Sequence, residues 1–185
     1  MTASGRRRAL LAGAAAVAVA AVVAVTALVG GGGGDGGGGG SASTVTAEPA
    51  RRPVAGFGEV GFRLGPAAGA AWRCALLADT EPQRQRGLMG RRDLAGYDAM
   101  VFRFPADTAG SFYMRDVPVP LDIAWFDAAG RLVSTATMAP CPDVDGCPTY
   151  APAGPYRFAL EVLAGGFDRL GVDEATVLDV GGPCP

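Results

Sequence analysis

Asp122 and Glu161 are the side chains whose settings most invite chemistry. Asp122 stands between Leu121 and Ile123, with Trp125 close behind, at the start of an apolar strand. A carboxylate there is costly unless it is paired or hydrogen-bonded. The ordinary reading is a buried acceptor or ion pair, with Arg86 or Arg115 as the expected partner. The functional reading makes Asp122 one carboxylate of a binding or acid–base site, with Glu161 as its mate. Glu161 falls on the strand face opposite Phe158, Leu160 and Val162, a face expected to meet solvent or an arginine. Two carboxyl groups set about 5–9 Å apart can run glycoside hydrolysis. An envelope-glycan hydrolase is therefore one alternative function.

Met89, Met114 and Met138 offer thioethers, soft ligands that suit Cu(I). Filling a core is the commoner use of methionine, so a Cu(I)-binding domain stays a second alternative. Tyr113, Tyr150, Trp125 and Arg115 could line a cleft by stacking on a sugar or peptide. The chain contains no histidine. That removes the commonest general base and metal ligand, and with them any Ser–His or Cys–His nucleophile. The glycine tract lacks the Lys-Ser/Thr and following helix of a phosphate loop. A net charge of −2 supplies no basic surplus, so nucleic acid is not an expected partner. No cofactor is expected.

Cysteines stand at 74, 141, 147 and 184. In an oxidising compartment their default state is two disulfides. Cys141 and Cys147 bracket a turn-rich segment that brings its ends together, which leaves Cys74 with Cys184. The loop-entropy model values the short bridge at roughly 2–2.5 kcal/mol and the long one nearer 5. A four-cysteine zinc site lacks the CxxC pairs it needs. The five residues between Cys141 and Cys147 are likewise not a CxxC redox motif.

The compartment is argued from the N-terminus. Arg6, Arg7 and Arg8 precede an uncharged run over 9–29, long enough to cross a hydrocarbon core about 30 Å thick. A retained anchor is the preferred reading. Cleavage after Val25-Thr26-Ala27, giving a secreted protein, is the alternative. Arginines before the run orient the N-terminus inward by the positive-inside rule, so the remainder lies outside in either case. Residues 30–55 are glycine-rich, then rich in Ser, Thr, Ala and Pro, and read as a flexible tether. The organisation expected is an anchor over 1–29, a linker over 30–55 and one globular domain over 56–185. Its partner is the cytoplasmic membrane, reached through the N-terminal helix, and its ligand is unknown.

Within that domain 71–78 reads as a buried strand carrying Trp72 and Cys74. Thr80-Glu81-Pro82-Gln83 is a helix start with capping-box spacing, and Gly87 is a stop. Alternation at Met100, Phe102 and Phe104 is strand periodicity. Further strands are expected over 111–114, 121–126, 131–138, 156–163 and 175–180, with a hairpin loop at 127–130 and a helical turn in 165–171. Tyr156, Phe158, Leu160 and Val162 are expected on one face. The fold class is mainly β, an antiparallel barrel or sandwich with one or two short helices.

Six phrases, in order, resemble one family. They are Ala78-Asp79-Thr80 with Arg86-Gly87-Leu88-Met89-Gly90-Arg91; Ala99-Met100-Val101-Phe102; Phe112-Tyr113-Met114; Pro120-Leu121-Asp122-Ile123; Met138-Ala139-Pro140-Cys141 with Cys147-Pro148-Thr149-Tyr150; and Ala159-Leu160-Glu161-Val162. Their order and spacing are similar to the family labelled domain of unknown function 192, over roughly 71–180. The resemblance implies a compact, mainly β domain, often exported, with no established activity and no catalytic residues to transfer. Two positions depart from the family pattern. Phe112-Tyr113-Met114-Arg115-Asp116 stands where Phe-Trp-Met-Lys-Asn is usual, and Leu163 replaces a common Asn. The expected function is an extracytoplasmic, membrane-tethered module that binds a small ligand or a protein.

Overall fold

A computed structural model describes residues 50–65, 70–142 and 146–185. The expected anchor over 1–29 and nearly all of the tether over 30–55 lie outside the described residues. Among the described residues, no helix is long and apolar enough to cross a membrane. The fold takes in the end of the expected tether. The Arg52 N–H donates to the Ala95 carbonyl at 2.9 Å, and Val54 packs against the core.

In chain order the elements are β1 (Gly58–Leu64), β2 (Arg73–Ala78), α1 (Glu81–Arg86), β3 (Ala99–Thr108), β4 (Phe112–Tyr113), β5 (Leu121–Phe126), β6 (Leu132–Met138), β7 (Thr149–Tyr150), β8 (Tyr156–Leu163), α2 (Gly166–Leu170) and β9 (Leu178–Val180). Seven strands form one sheet in the order β6-β5-β8-β3-β2-β1-β9, and β4 pairs with β7 in a second, small sheet. The large sheet is curled. Arg131, just before β6, bridges to Val177, just before β9, and the Leu178 N–H donates to the Gly130 carbonyl at 2.7 Å. Gly130 has φ +78°, and a Cβ there would run into the Leu178 carbonyl. Only glycine fits this close approach.

The curl explains why the strands are apolar on both faces. All six residues of β5 are buried. One face carries Val60, Phe62, Val101, Phe126, Leu160 and Leu178, drawn from both ends of the sheet. The other carries Cys74, Leu76, Phe102, Ile123, Trp125 and Ala159. Burying each such large side chain contributes roughly 1.5–3 kcal/mol relative to exposure.

Pairing is antiparallel except between β2 and β3, which run parallel. A parallel neighbour needs a crossover of a dozen or more residues, and the segment between them supplies it, with α1 inside. The helix begins as its sequence predicts. Gln83 Oε1 accepts from the Asp79 and Thr80 N–H groups, each at 2.9 Å. Pro82 sits in the first turn, and Gly87 ends the helix at φ +43°.

Three expectations need correction. Trp72 precedes its strand and is 37% exposed, stacked under the Arg63 guanidinium at 4.8 Å. Tyr156 parts company with Phe158, Leu160 and Val162 and packs in the cluster of Phe102 and Trp125. The cause is a register shift between β3 and β8 over Arg103–Thr108, which turns the start of β8 to the other face. The last strand is shorter than 175–180 because Thr176 closes a local turn with Asp173, its N–H donating to the Asp173 carbonyl at 3.1 Å.

Candidate functional site

β8 runs between β3 and β5, so its middle residues have a strand on each side. Glu161 pairs in register with Met100 on β3 and Ile123 on β5. Its side chain is only 4% exposed. It is buried rather than facing solvent, and among the described residues no arginine pairs with it. Among the described residues its carboxyl has neither a hydrogen-bond nor an ion-pair partner, and burial alone pushes its pKa up to about 8. Desolvation disfavours the charged form, and no opposing charge offsets it. Glu161 is therefore a neutral carboxylic acid at pH 7, one donor and one acceptor rather than two acceptors.

Glu161 is a buried part of the lining of a cavity of about 350 Å³. β3 contributes Phe102 and Phe104 to its walls, β4 contributes Phe112, and β8 contributes Tyr156. Phe112 meets Phe102 edge-on at 5.1 Å, and Phe104 meets Tyr156 edge-on at 5.2 Å. These arrangements suit the ring quadrupoles and stiffen the walls. The Tyr156 hydroxyl donates to the Gly110 carbonyl at 2.8 Å, and burial pushes its phenol up to about 12.

α1 forms the rim. Arg84 donates from Nη1 to the carbonyls of Asp79, at 2.6 Å, and Arg103, at 2.9 Å, and its guanidinium lies 4.8 Å over Phe104. Arg103 in turn grips Asp79 with Nε and Nη2 at 2.8 and 2.7 Å. Through that hydrogen bond first of all, Arg103 holds the Asp79 carboxyl below its ordinary value. The helix start is thus tied to β3 by carboxylate and backbone together. Arg86 also lines the cavity, 5.9 Å over Phe57. Tyr113, 43% exposed, donates to the Gln85 carbonyl at 3.4 Å and completes the mouth.

Three sequence candidates, Arg86, Tyr113 and Glu161, thus come together. The others stand elsewhere. Asp122 is 7% exposed. Its Oδ1 accepts from the Thr137 hydroxyl at 2.8 Å and its Oδ2 from the Gly165 N–H at 2.7 Å. The arginine expected to close it off is replaced by these two donors. Asp122 registers with Val162 while Ile123 registers with Glu161. Side chains alternate along a strand, so the two carboxyl groups project from opposite faces of the sheet. Asp122 anchors the turn from β8 into α2. Asp122→Ala is expected to cost about 1–3 kcal/mol in urea unfolding, by removing the shared acceptor that ties the Thr137 hydroxyl on β6 to the Gly165 N–H. A loss of a few tenths would contradict that role.

Tyr150 registers with Phe112, and its hydroxyl accepts from the Ala139 N–H at 2.9 Å. Arg115 bridges to Cys141 through backbone. Trp125 is fully buried, with Nε1 unpartnered among the described residues, and packs 6.1 Å from Phe112. Met114 and Met138 are sealed in the core; of the three methionines only Met89 lines the cavity. The cysteines pair as Cys74–Cys184 and Cys141–Cys147. Glu59 lies close to the first pair, but bonded sulfurs leave no thiolate for a metal there.

A family model described as Uncharacterized ACR, DUF192, matches residues 66–180. The chain belongs to this family. No curated protein matches it. Among solved structures, a protein from Sinorhizobium meliloti described as a putative transcription regulator is 26% identical with a TM-score of 0.56, covering 67% of this chain and 95% of its own. A protein of unknown function from Novosphingobium aromaticivorans is 28% identical with a TM-score of 0.57, covering 72% and 94%. The DUF192 match spans every cavity residue named above, whereas Cys184 lies beyond it.

Residues that sequence reasoning passed over include Arg84, Phe102, Phe104, Phe112 and Tyr156. Phe102 and Phe104 were legible as a strand face, but nothing local says that the face looks into a cavity. Glu161 carried the usable signal, a lone acid inside an apolar strand with Leu160 and Val162 beside it.

Proposed function

We propose that this DUF192 chain is a binding module for a small organic ligand, held on the outer side of the cytoplasmic membrane by its N-terminal segment. The observation that carries the ligand half is the cavity with the buried Glu161 in its lining. Its volume of about 350 Å³ falls at the lower end of the range for small-molecule sites, roughly 300–1,000 Å³. Its aromatic walls give area, and one unpartnered carboxyl gives orientation. A strongly shifted acid in such a cleft is the usual mark of a functional site. The envelope half rests on the cationic start, the apolar run, the glycine tether and the two disulfides.

Other readings draw less support. A two-carboxylate glycan hydrolase needs both acids at one cleft, and Asp122 projects from the far side of the sheet. Cu(I) would need thioethers gathered at one point, and two of the three are core packing. A nucleic-acid role like the one its Sinorhizobium relative's description suggests would call for a basic surplus, and the net charge is −2.

A fragment screen by NMR on the labelled full chain tests the cavity. Shift changes are expected to cluster on Phe102, Phe104, Phe112 and Glu161, and Ser111→Trp at the mouth is expected to abolish them. Changes that fall elsewhere, or survive Ser111→Trp, would overturn the assignment.

A further inference from the structure

We propose that the ligand is a small organic amine that enters ammonium-first and seats its charged head against the Glu161 carboxyl; this rests on the cavity being a binding site. Among the described residues no protein donor reaches the Glu161 oxygens, and Glu161 lines the cavity. An ammonium group carries three donors and no acceptor, which matches the two acceptor oxygens Glu161 presents once it ionises. The aromatic rings that line the same cavity suit such a head, because aromatic faces within about 6 Å attract cations. Arg84 and Arg86 sit at the mouth. Glu81 beside them offsets one of the two, and the remaining positive charge opposes a second cationic centre on the ligand, so a monoamine fits better than a polyamine.

Binding is coupled to a proton. Free of ligand, Glu161 is held neutral by burial. An ammonium beside it favours the ionised form, so the carboxyl gives its proton to solvent as the amine enters, and the amine stays protonated. The charged and titratable groups facing Glu161 across the cavity are Glu81, Arg84 and Arg86 from α1, Tyr113 from β4 and Tyr156 from β8. β3 presents Phe102 and Phe104, and its Met100 and the Ile123 of β5 flank Glu161 without charge.

Calorimetric titration of the full chain with phenethylamine and with phenethyl alcohol, at pH 6, 7 and 8, tests this. The amine is expected to bind about 10- to 50-fold more tightly at pH 8 than at pH 6, following ionisation of the Glu161 carboxyl. Heats in buffers of different ionisation enthalpy are expected to show proton release. The alcohol is expected to show neither effect. Glu161→Gln is expected to reduce amine binding at pH 8 at least about tenfold and alcohol binding by far less, because glutamine keeps a donor and an acceptor for the hydroxyl. Retained alcohol binding also reports that the variant is folded; if it is not, the pH profile of the unsubstituted chain decides alone. Amine affinity that is flat with pH, no better than the alcohol at pH 8, or undiminished in folded Glu161→Gln overturns the amine assignment and leaves the cavity as a binding site. Failure of both probes to bind counts against the cavity reading and the amine together.

Discussion

Glu161→Gln is expected to flatten the pH dependence of stability, sparing the chain a loss on the order of 4–5 kcal/mol between about pH 4.5 and 8. Burial lifts the Glu161 carboxyl from its ordinary value near 4.5 to about 8. Across that window the unfolded chain has given up the proton and the folded chain still holds it. Stability therefore falls as pH rises through it, because ionising the folded state is the harder process. The full contribution is present below about 4.5 and has gone above about 8. Glutamine keeps the shape and the dipole but cannot ionise, so the difference between the two proteins isolates this one group. Denaturant unfolding at pH 5, 7 and 9 reads it directly. Parallel profiles would mean that Glu161 has found a partner or reaches water.

Replacing both Cys74 and Cys184 by alanine is expected to cost about 5 kcal/mol, the loop-entropy value for a bridge across 110 residues. The native chain shows what that bridge holds. Cys74 is fully buried at the start of β2. The C-terminal segment runs beside β1, where the Gly61 N–H donates to the Gly182 carbonyl at 3.2 Å and the Gly181 N–H to the Gly61 carbonyl at 3.0 Å. A Cβ at Gly61 would lie 2.6 Å from the Pro183 carbonyl oxygen, so the segment is laid directly on the strand. β9 is three residues long and is the sheet's edge. Without the bridge it should exchange amide hydrogens first. The Cys141–Cys147 bridge closes a far shorter loop, and its removal is expected to cost roughly half as much. Urea unfolding with amide exchange checks both. A loss under about 1 kcal/mol in the Cys74/Cys184 double variant would contradict the account.

Much of the fold was legible because its signals are local. Strands 121–126 and 156–163 match their observed limits, since turns and prolines bound them on both sides. The capping residues around Thr80 and Gly87 located α1 for the same reason. The parallel pairing of β2 with β3 was hidden, because parallel and antiparallel neighbours share one alternation and differ only in the connection between them. β7 was missed because two residues carry no period.

The candidate site was half legible. Asp122 and Glu161 both drew notice as acids in apolar strands, and the same environment gave them opposite roles. Asp122 sits where Thr137 and the Gly165 N–H converge, a contact that joins residues far apart in sequence. Glu161 sits between Met100 and Ile123, which offer no donor. Only the register decides which acid is satisfied. The aromatic walls were visible as residues but not as a cavity, because β3, β4 and β8 meet there only once the sheet has curled and α1 has crossed it.

The protonation state of Glu161 is the point on which the cavity's chemistry turns, and carbon-13 NMR of its side-chain carboxyl reads it directly. In ligand-free protein the resonance is expected to titrate with a midpoint near 8, where burial alone places it. A midpoint near the ordinary value for glutamate, about 4.3, would mean the carboxyl is already charged at neutral pH and would contradict the account of the site.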